Sequence, residues 1–200
     1  MPRNQEVWDA EYRRKGVLWR GEAELPDGLR GRVLELGCGD GKSMAAGKGL
    51  DVIGIDISRE GLRLCAARLN GADSLLQADA TQLPLADGAF DAVLAFHILE
   101  NLGDLEVQAL ALEAARVLRP DGLLWSRSFH PDDMRSPTQG GKAERAGISY
   151  RYRDEDALCA LLQPLRPITL ERRELRKRYH GRDLRRVVLH GQFQNTAGSE

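Results

Sequence analysis

Short apolar runs alternate with amphipathic stretches through the first 130 residues. Residues 33–36, 51–56, 74–78, 90–96 and 122–129 are mostly apolar, are bounded by Gly, Asp or Pro, and read as strands. Between them, residues 42–48, 58–70 and 104–118 carry apolar side chains at helical spacing. Ser58 is placed to cap the second of these helices, Asn70-Gly71 to end it, and Arg119-Pro120 to end the third. Strands alternating with helices at this spacing predict an α/β fold, a parallel sheet with crossover helices on both faces. A further helix is expected over residues 6–15, where Val7, Trp8, Glu11 and Tyr12 share a face, before a Gly/Pro-marked loop to Gly31.

The pattern changes after residue 130. Residues 131–147 are polar and Gly-rich and read as loop, residues 154–162 as a helix, and residues 168–175 and 184–190 as two strands. Sequential and closely linked, those strands predict an antiparallel hairpin on the sheet edge. Residues 191–200 are expected to fray. The chain therefore divides into an N-terminal cap helix and loop (1–30), a main domain (31–190) and a disordered tail (191–200).

Composition narrows the class. The 200 residues carry 29 Lys plus Arg against 30 Asp plus Glu, so one domain of ordinary size is expected, and the net charge of -1 disfavours nucleic acid as the general partner. No run approaches the ~18 apolar residues of a membrane span, so no membrane partner is expected. Cys38, Cys65 and Cys159 are odd in number and widely spaced, which suggests neither a disulfide framework nor a metal site. With a polar, charged start in place of a signal peptide's apolar core, this points to a reducing, cytoplasmic setting.

The chemistry concentrates at Glu35-Leu36-Gly37-Cys38-Gly39-Asp40-Gly41, between the first strand and the helix after it. Glycines there let backbone approach a ligand, and helix N–H groups address negative charge. A phosphate-binding Walker loop would need a glycine where Leu36 stands. A dinucleotide turn would need its third glycine at Lys42.

A wider set of segments fits a third reading. Residues 33–41 recur in family order with Gly54-Ile55-Asp56-Ile57-Ser58, Ala78-Asp79-Ala80, residues 83–91 and residues 113–122. Together they resemble the class I (Rossmann-like) S-adenosylmethionine-dependent methyltransferases, in their small single-domain form. The resemblance implies a doubly wound, seven-stranded, mostly parallel sheet with the last strand antiparallel. It also implies S-adenosylmethionine as cofactor, with S-adenosylhomocysteine as product. On that pattern Glu35, Gly37, Cys38 and Gly39 line the methionine end. Asp56 takes the ribose hydroxyls and Ile57 packs on adenine. Asp79 accepts from the adenine amino group, and Ala80 adds a backbone donor. Asp56 lies 21 positions after Glu35, near the ~20-residue interval at which dinucleotide folds place a ribose-gripping carboxylate. For Asp79 a turn or helix cap is the competing reading, and Asp40 could equally serve only its turn.

The acceptor is expected beyond the fourth and fifth strands, which places His97 and His130 nearest the transferable methyl. His97 is the candidate catalytic base, or else shapes the cavity; Asn101 stands where many relatives carry a second His. His130, beside Pro131, is expected to be exposed. Trp8 and Tyr12, at i and i+4, could form a lid over cofactor and acceptor, with Trp19 following. Tyr150, among the arginines of residues 131–152, completes a candidate substrate set suited to an acidic or aromatic small molecule. Two rivals remain open at this point. One is an RNA or protein methyltransferase using the basic C-terminal hairpin, residues 171–186, where eight Lys and Arg face three acids. The other is a module that binds S-adenosylmethionine without catalysis.

Overall fold

The computed structural model describes residues 2–18, 23–47, 49–71, 74–137, 142–179 and 182–196, with side chains of residues 2–3 and 177–183 excepted. In chain order the elements are α1 (Pro2–Lys15), β1 (Arg32–Leu36), α2 (Lys42–Ala46), β2 (Asp51–Asp56), α3 (Arg59–Leu69), β3 (Leu75–Gln77) and β4 (Phe90–Phe96). A 3-10 turn (Leu99–Asn101), α4 (Asp104–Val117), β5 (Leu118–Phe129), β6 (Lys142–Arg145) and β7 (Ile148–Arg151) follow, and α5 (Glu155–Leu161), β8 (Arg166–Tyr179) and β9 (Arg182–Gln194) complete the order. Seven strands form one sheet in the order β3-β2-β1-β4-β5-β9-β8. β1 to β5 are mutually parallel, and the closing hairpin brings β9 antiparallel to both β5 and β8. The strand order reverses between β1 and β4, the switch point at which open α/β sheets leave a crevice beyond the strand ends.

Side chains alternate between the faces as the strand period requires. Leu34, Leu36, Val93, Ala95 and Leu124 face α4 and α5 and form the main core with Leu110, Ala114, Leu158 and Phe193. Each fully buried Leu or Phe there stabilises the fold by roughly 1.5–3 kcal/mol. Val33, Ala92 and Leu94 point the other way. Toward β2 that second face is covered by α2 and α3 through Met44 and Cys65. Over β4 and β5, Leu25 and Leu29 of the connecting loop pack beside Phe96 and Trp125 in place of a helix.

Three expectations need correction. The tail does not begin at residue 191: β9 runs through Gln194, and Phe193 is fully buried. Asn195 is fixed as well, because its Nδ2 donates to the carbonyls of Ala115, Leu118 and Arg119, groups that the C-terminus of α4 leaves without helical partners. β5 starts at Leu118 rather than residue 122, and a register shift between Phe90 and Ala92 absorbs the extra residues. Residues 142–151, read as loop and its border, form the β6–β7 hairpin. Its turn places Ala146 and Gly147 both at positive φ (54° and 77°), a conformation usually signalled by Asn-Gly and here carried by Ala-Gly.

Candidate functional site

A cleft opens at the C-terminal ends of β1, β2, β3 and β4. Asp56 and Ile57 from the end of β2, and Ala78 to Ala80 from the end of β3, form one wall. Phe96, His97 and Asn101, following β4, form another, and Trp8 and Tyr12 of α1 close it from above. Candidate residues far apart in the chain thus converge because each follows a parallel strand.

The methionine-end set is only partly on this wall. Gly37 lines the cleft, whereas Glu35 and Cys38 are buried beside it. The Cys38 N–H donates to the Ile55 carbonyl, and its thiol, pushed up by contact with Cys65 and by burial, faces the core. Gly39 donates its N–H to Asp56 Oδ2 at 2.8 Å, and a β-carbon there would run into the Tyr12 hydroxyl. Tyr12 fills this position because α1 is latched onto α3: Asp9 Oδ1 accepts from Ser58 Oγ at 2.6 Å and from the Glu60 N–H at 3.0 Å. Tyr12 itself is buried, its ring against Gly61, where a β-carbon would come within 3.0 Å. Trp8 packs beside it, ring centroids 5.9 Å apart.

Two carboxyls are raised. Burial pushes Glu35 up to about 8, against the Ser43 hydroxyl bond and with help from the charges of Asp56 and Asp40. Its Oε2 is buried with no hydrogen-bond partner among the described residues. Burial also pushes Asp56 up to about 6, opposed by the Ser58 and Gly39 backbone donors. A carboxylate offers about four acceptor sites, so those two donors leave Asp56 capacity for a diol. Asp79 has the turn role weighed against ligand binding, since Oδ1 accepts from both the N–H and hydroxyl of Thr81, and it lines the cleft too. Asp40 serves its surroundings, accepting from the Leu18 N–H and facing Arg68 at 3.6 Å.

His97 holds a left-handed backbone (φ 59°), and its Nδ1 lies 2.9 Å from Oε1 of Glu100, which is 1% exposed. Glu100 was missed by sequence reasoning; the His-x-x-Glu spacing after a strand end was the available signal. Asn101 ties the β6–β7 hairpin to this turn by donating to the Ser149 carbonyl. Tyr150 is not on the cleft wall; it packs with Phe129 and Tyr152, with the Arg145 guanidinium 5.9 Å from its ring. His130 is buried, contrary to expectation, because Nδ1 accepts from the Asp132 N–H while Nε2 faces Glu155 at 3.3 Å. Trp19 lies outside the described residues. Among the described residues, no three His, Cys, Asp or Glu converge as a metal site would require, and no helix is long and apolar enough to cross a membrane.

Residues 34–126, which supply the glycine turn and three of the cleft's strand ends, match the family model for a methyltransferase domain. Over that span the chain carries a methyltransferase domain. Malonyl-[acyl-carrier protein] O-methyltransferase of Enterobacter lignolyticus is 33% identical over 150 residues, covering 72% of this chain and 57% of that protein. The mouse tRNA (carboxymethyluridine(34)-5-O)-methyltransferase ALKBH8 is 35% identical over 128 residues, covering 62% of this chain and 18% of that protein. Among solved structures, the N-methyltransferase NodS of Bradyrhizobium japonicum, in complex with S-adenosylhomocysteine, superposes with a TM-score of 0.60 at 20% identity, covering 84% of this chain and 79% of that one. The chain thus spans less than two thirds of the length of these curated relatives.

Proposed function

We propose that this methyltransferase transfers a methyl group from S-adenosylmethionine to a small-molecule acceptor by in-line displacement. The observation that carries the reading is that Asp56, ending β2, and Asp79, just after β3, line one cleft beside the glycine turn, with Glu35 near the end of β1 buried next to it. The unpartnered Oε2 of Glu35 suits the cofactor's ammonium, Asp56 its ribose diol, Ile57 its adenine face, and Asp79 with Ala80 its adenine edge. When bound, the cofactor supplies an electrophilic methyl on a positively charged sulfur.

The chain's own part is positioning and exclusion of water. Trp8 and Tyr12 cover the cleft, and a water-poor enclosure that aligns the reacting atoms can supply several kcal/mol without strong acid or base (effective molarity ~10⁵ to 10⁸ M). His97, oriented by Glu100, is placed to take a proton from an acceptor hydroxyl or amine. The free thiols of Cys38, Cys65 and Cys159 suit the cytoplasmic setting that is part of this reading.

Charge pairing favours a small acceptor over RNA. In the closing hairpin Arg172 meets Asp132, Arg173 meets Glu171, Arg185 meets Glu174 and Arg186 meets Asp133, which leaves less net charge for phosphates than the sequence suggests. A screen with methyl-labelled cofactor against metabolite and RNA fractions tests the reading. Label in the metabolite fraction is expected. Label confined to RNA refutes the acceptor class, and label in neither refutes catalysis.

A further inference from the structure

On the sheet face away from α4 and α5, a second cavity lies between β5, β9 and β8 and the loop residues Glu24 to Asp27. Phe96 lines both this cavity and the cleft. Arg127, directly across from Phe96 on the neighbouring strand, sets its guanidinium 4.3 Å from the ring centroid. It is half-buried, and none of the ion pairs or side-chain hydrogen bonds found among the described residues involves it. Burial pulls its pKa below the usual arginine value, with the Glu24 charge opposing and the Arg173 charge adding to the fall. Arg173, by contrast, is held by Glu171 at 2.8 Å.

We infer that this cavity binds a planar monocarboxylate, such as an aromatic acid, with the carboxylate on the Arg127 guanidinium and the ring against Trp125. A guanidinium lying over an aromatic ring keeps its N–H edge free for two parallel bonds to a carboxylate, and such a fork is poorly hydrated to begin with. Trp125 supplies flat apolar surface on the same wall, and Gln192 a neutral polar group. His190 adds no charge near neutrality, since burial and the neighbouring Arg127 and Arg173 push it down to about 4. Glu171 pairs with Arg173, and the exposed rim acids Glu24 and Asp27 outnumber the remaining Arg127, so the lining repels a phosphate dianion more strongly than a monoanion held on the Arg127 fork.

Titrating benzoate into the ¹⁵N-labelled full chain tests this, with benzyl alcohol and inorganic phosphate as controls. Saturable shifts of the Trp125 indole and of His190 are expected, at least tenfold weaker for benzyl alcohol and absent for phosphate. Arg127→Met should weaken benzoate at least tenfold while leaving S-adenosylhomocysteine binding unchanged. It should also keep or raise the Tm, because the guanidinium it removes is half-buried and has no ion pair among the described residues. Should that variant misfold, Arg127→Lys retains the charge but loses the fork, and a similar loss of affinity is expected. The inference is overturned if benzoate shifts Trp8 and not Trp125, if no shift saturates, or if the Arg127 variants bind as the wild type does. It stands apart from the methyl-transfer reading, since benzoate binding requires neither cofactor nor turnover.

Discussion

Replacing Glu35 with Gln should change how stability depends on pH. The carboxyl sits at the end of β1, 4% exposed, and burial lifts it from an ordinary 4.5 to about 8. Between those values the folded protein holds a proton that the unfolded chain has released. Stability from this group is therefore complete below about 4.5 and is lost as pH rises toward 8. Each pH unit within that window corresponds to about 1.4 kcal/mol, so wild type should lose roughly 2–3 kcal/mol between pH 5 and pH 7 through Glu35. Glu35→Gln keeps the shape and the contact with Ser43 but has nothing to titrate. Urea unfolding of both proteins at pH 5, 6 and 7 measures the difference, which should grow in the variant's favour by that amount. Saturating S-adenosylhomocysteine should flatten the wild-type slope, since an ammonium beside Oε2 would hold the carboxylate charged. Parallel stability curves for the two proteins, or a wild type that gains on the variant as pH rises, would refute the reasoning.

Two further outcomes test the lid and the candidate base. Asp9→Ala removes two hydrogen bonds to a buried carboxylate, each of the ~1.5–3 kcal/mol class, so amide exchange in α1 and tryptic cleavage after Arg13 or Arg14 should accelerate at least tenfold while the sheet stays protected. In the wild type, burial raises Asp9, but the Ser58, Glu60 and Gln5 bonds outweigh it and hold the carboxyl below its usual 3.8; the latch should therefore persist above that value and loosen as pH falls beneath it. His97→Ala should lower kcat ~10²- to 10⁴-fold with cofactor affinity within threefold, and Glu100→Gln should shift the pH profile of turnover; unchanged turnover in His97→Ala removes the base role.

Much of the fold is written in local pattern. β2 and β4 occupy the expected spans because short, mostly apolar runs within a β/α alternation have one way to be buried in a parallel sheet. Ser58 and Asn70 cap α3 as their side chains and backbone preferences suggest. The misses are places where a distant partner overrides local signal. Gly191 to Asn195 look like a polar tail until Phe193 enters the core and Asn195 reaches the end of α4. The β6–β7 turn lacks the residues that usually announce it. At the site, strand-end positions located Asp56, Ile57, Asp79, Ala80 and His97 in the cleft. The latch from Asp9 to Ser58 spans 49 residues, and no local spacing could reveal it or the way it sets Tyr12 over the glycine turn.

Calorimetric titration of S-adenosylhomocysteine into the full chain and into Asp56→Ala tests the central claim most directly. Saturable one-to-one binding is predicted for the wild type, and loss of one charged hydrogen-bonding group should weaken the variant at least tenfold. Absence of binding heat in the wild type, or equal affinity in the variant, would contradict a cofactor site built on the ends of β1, β2 and β3.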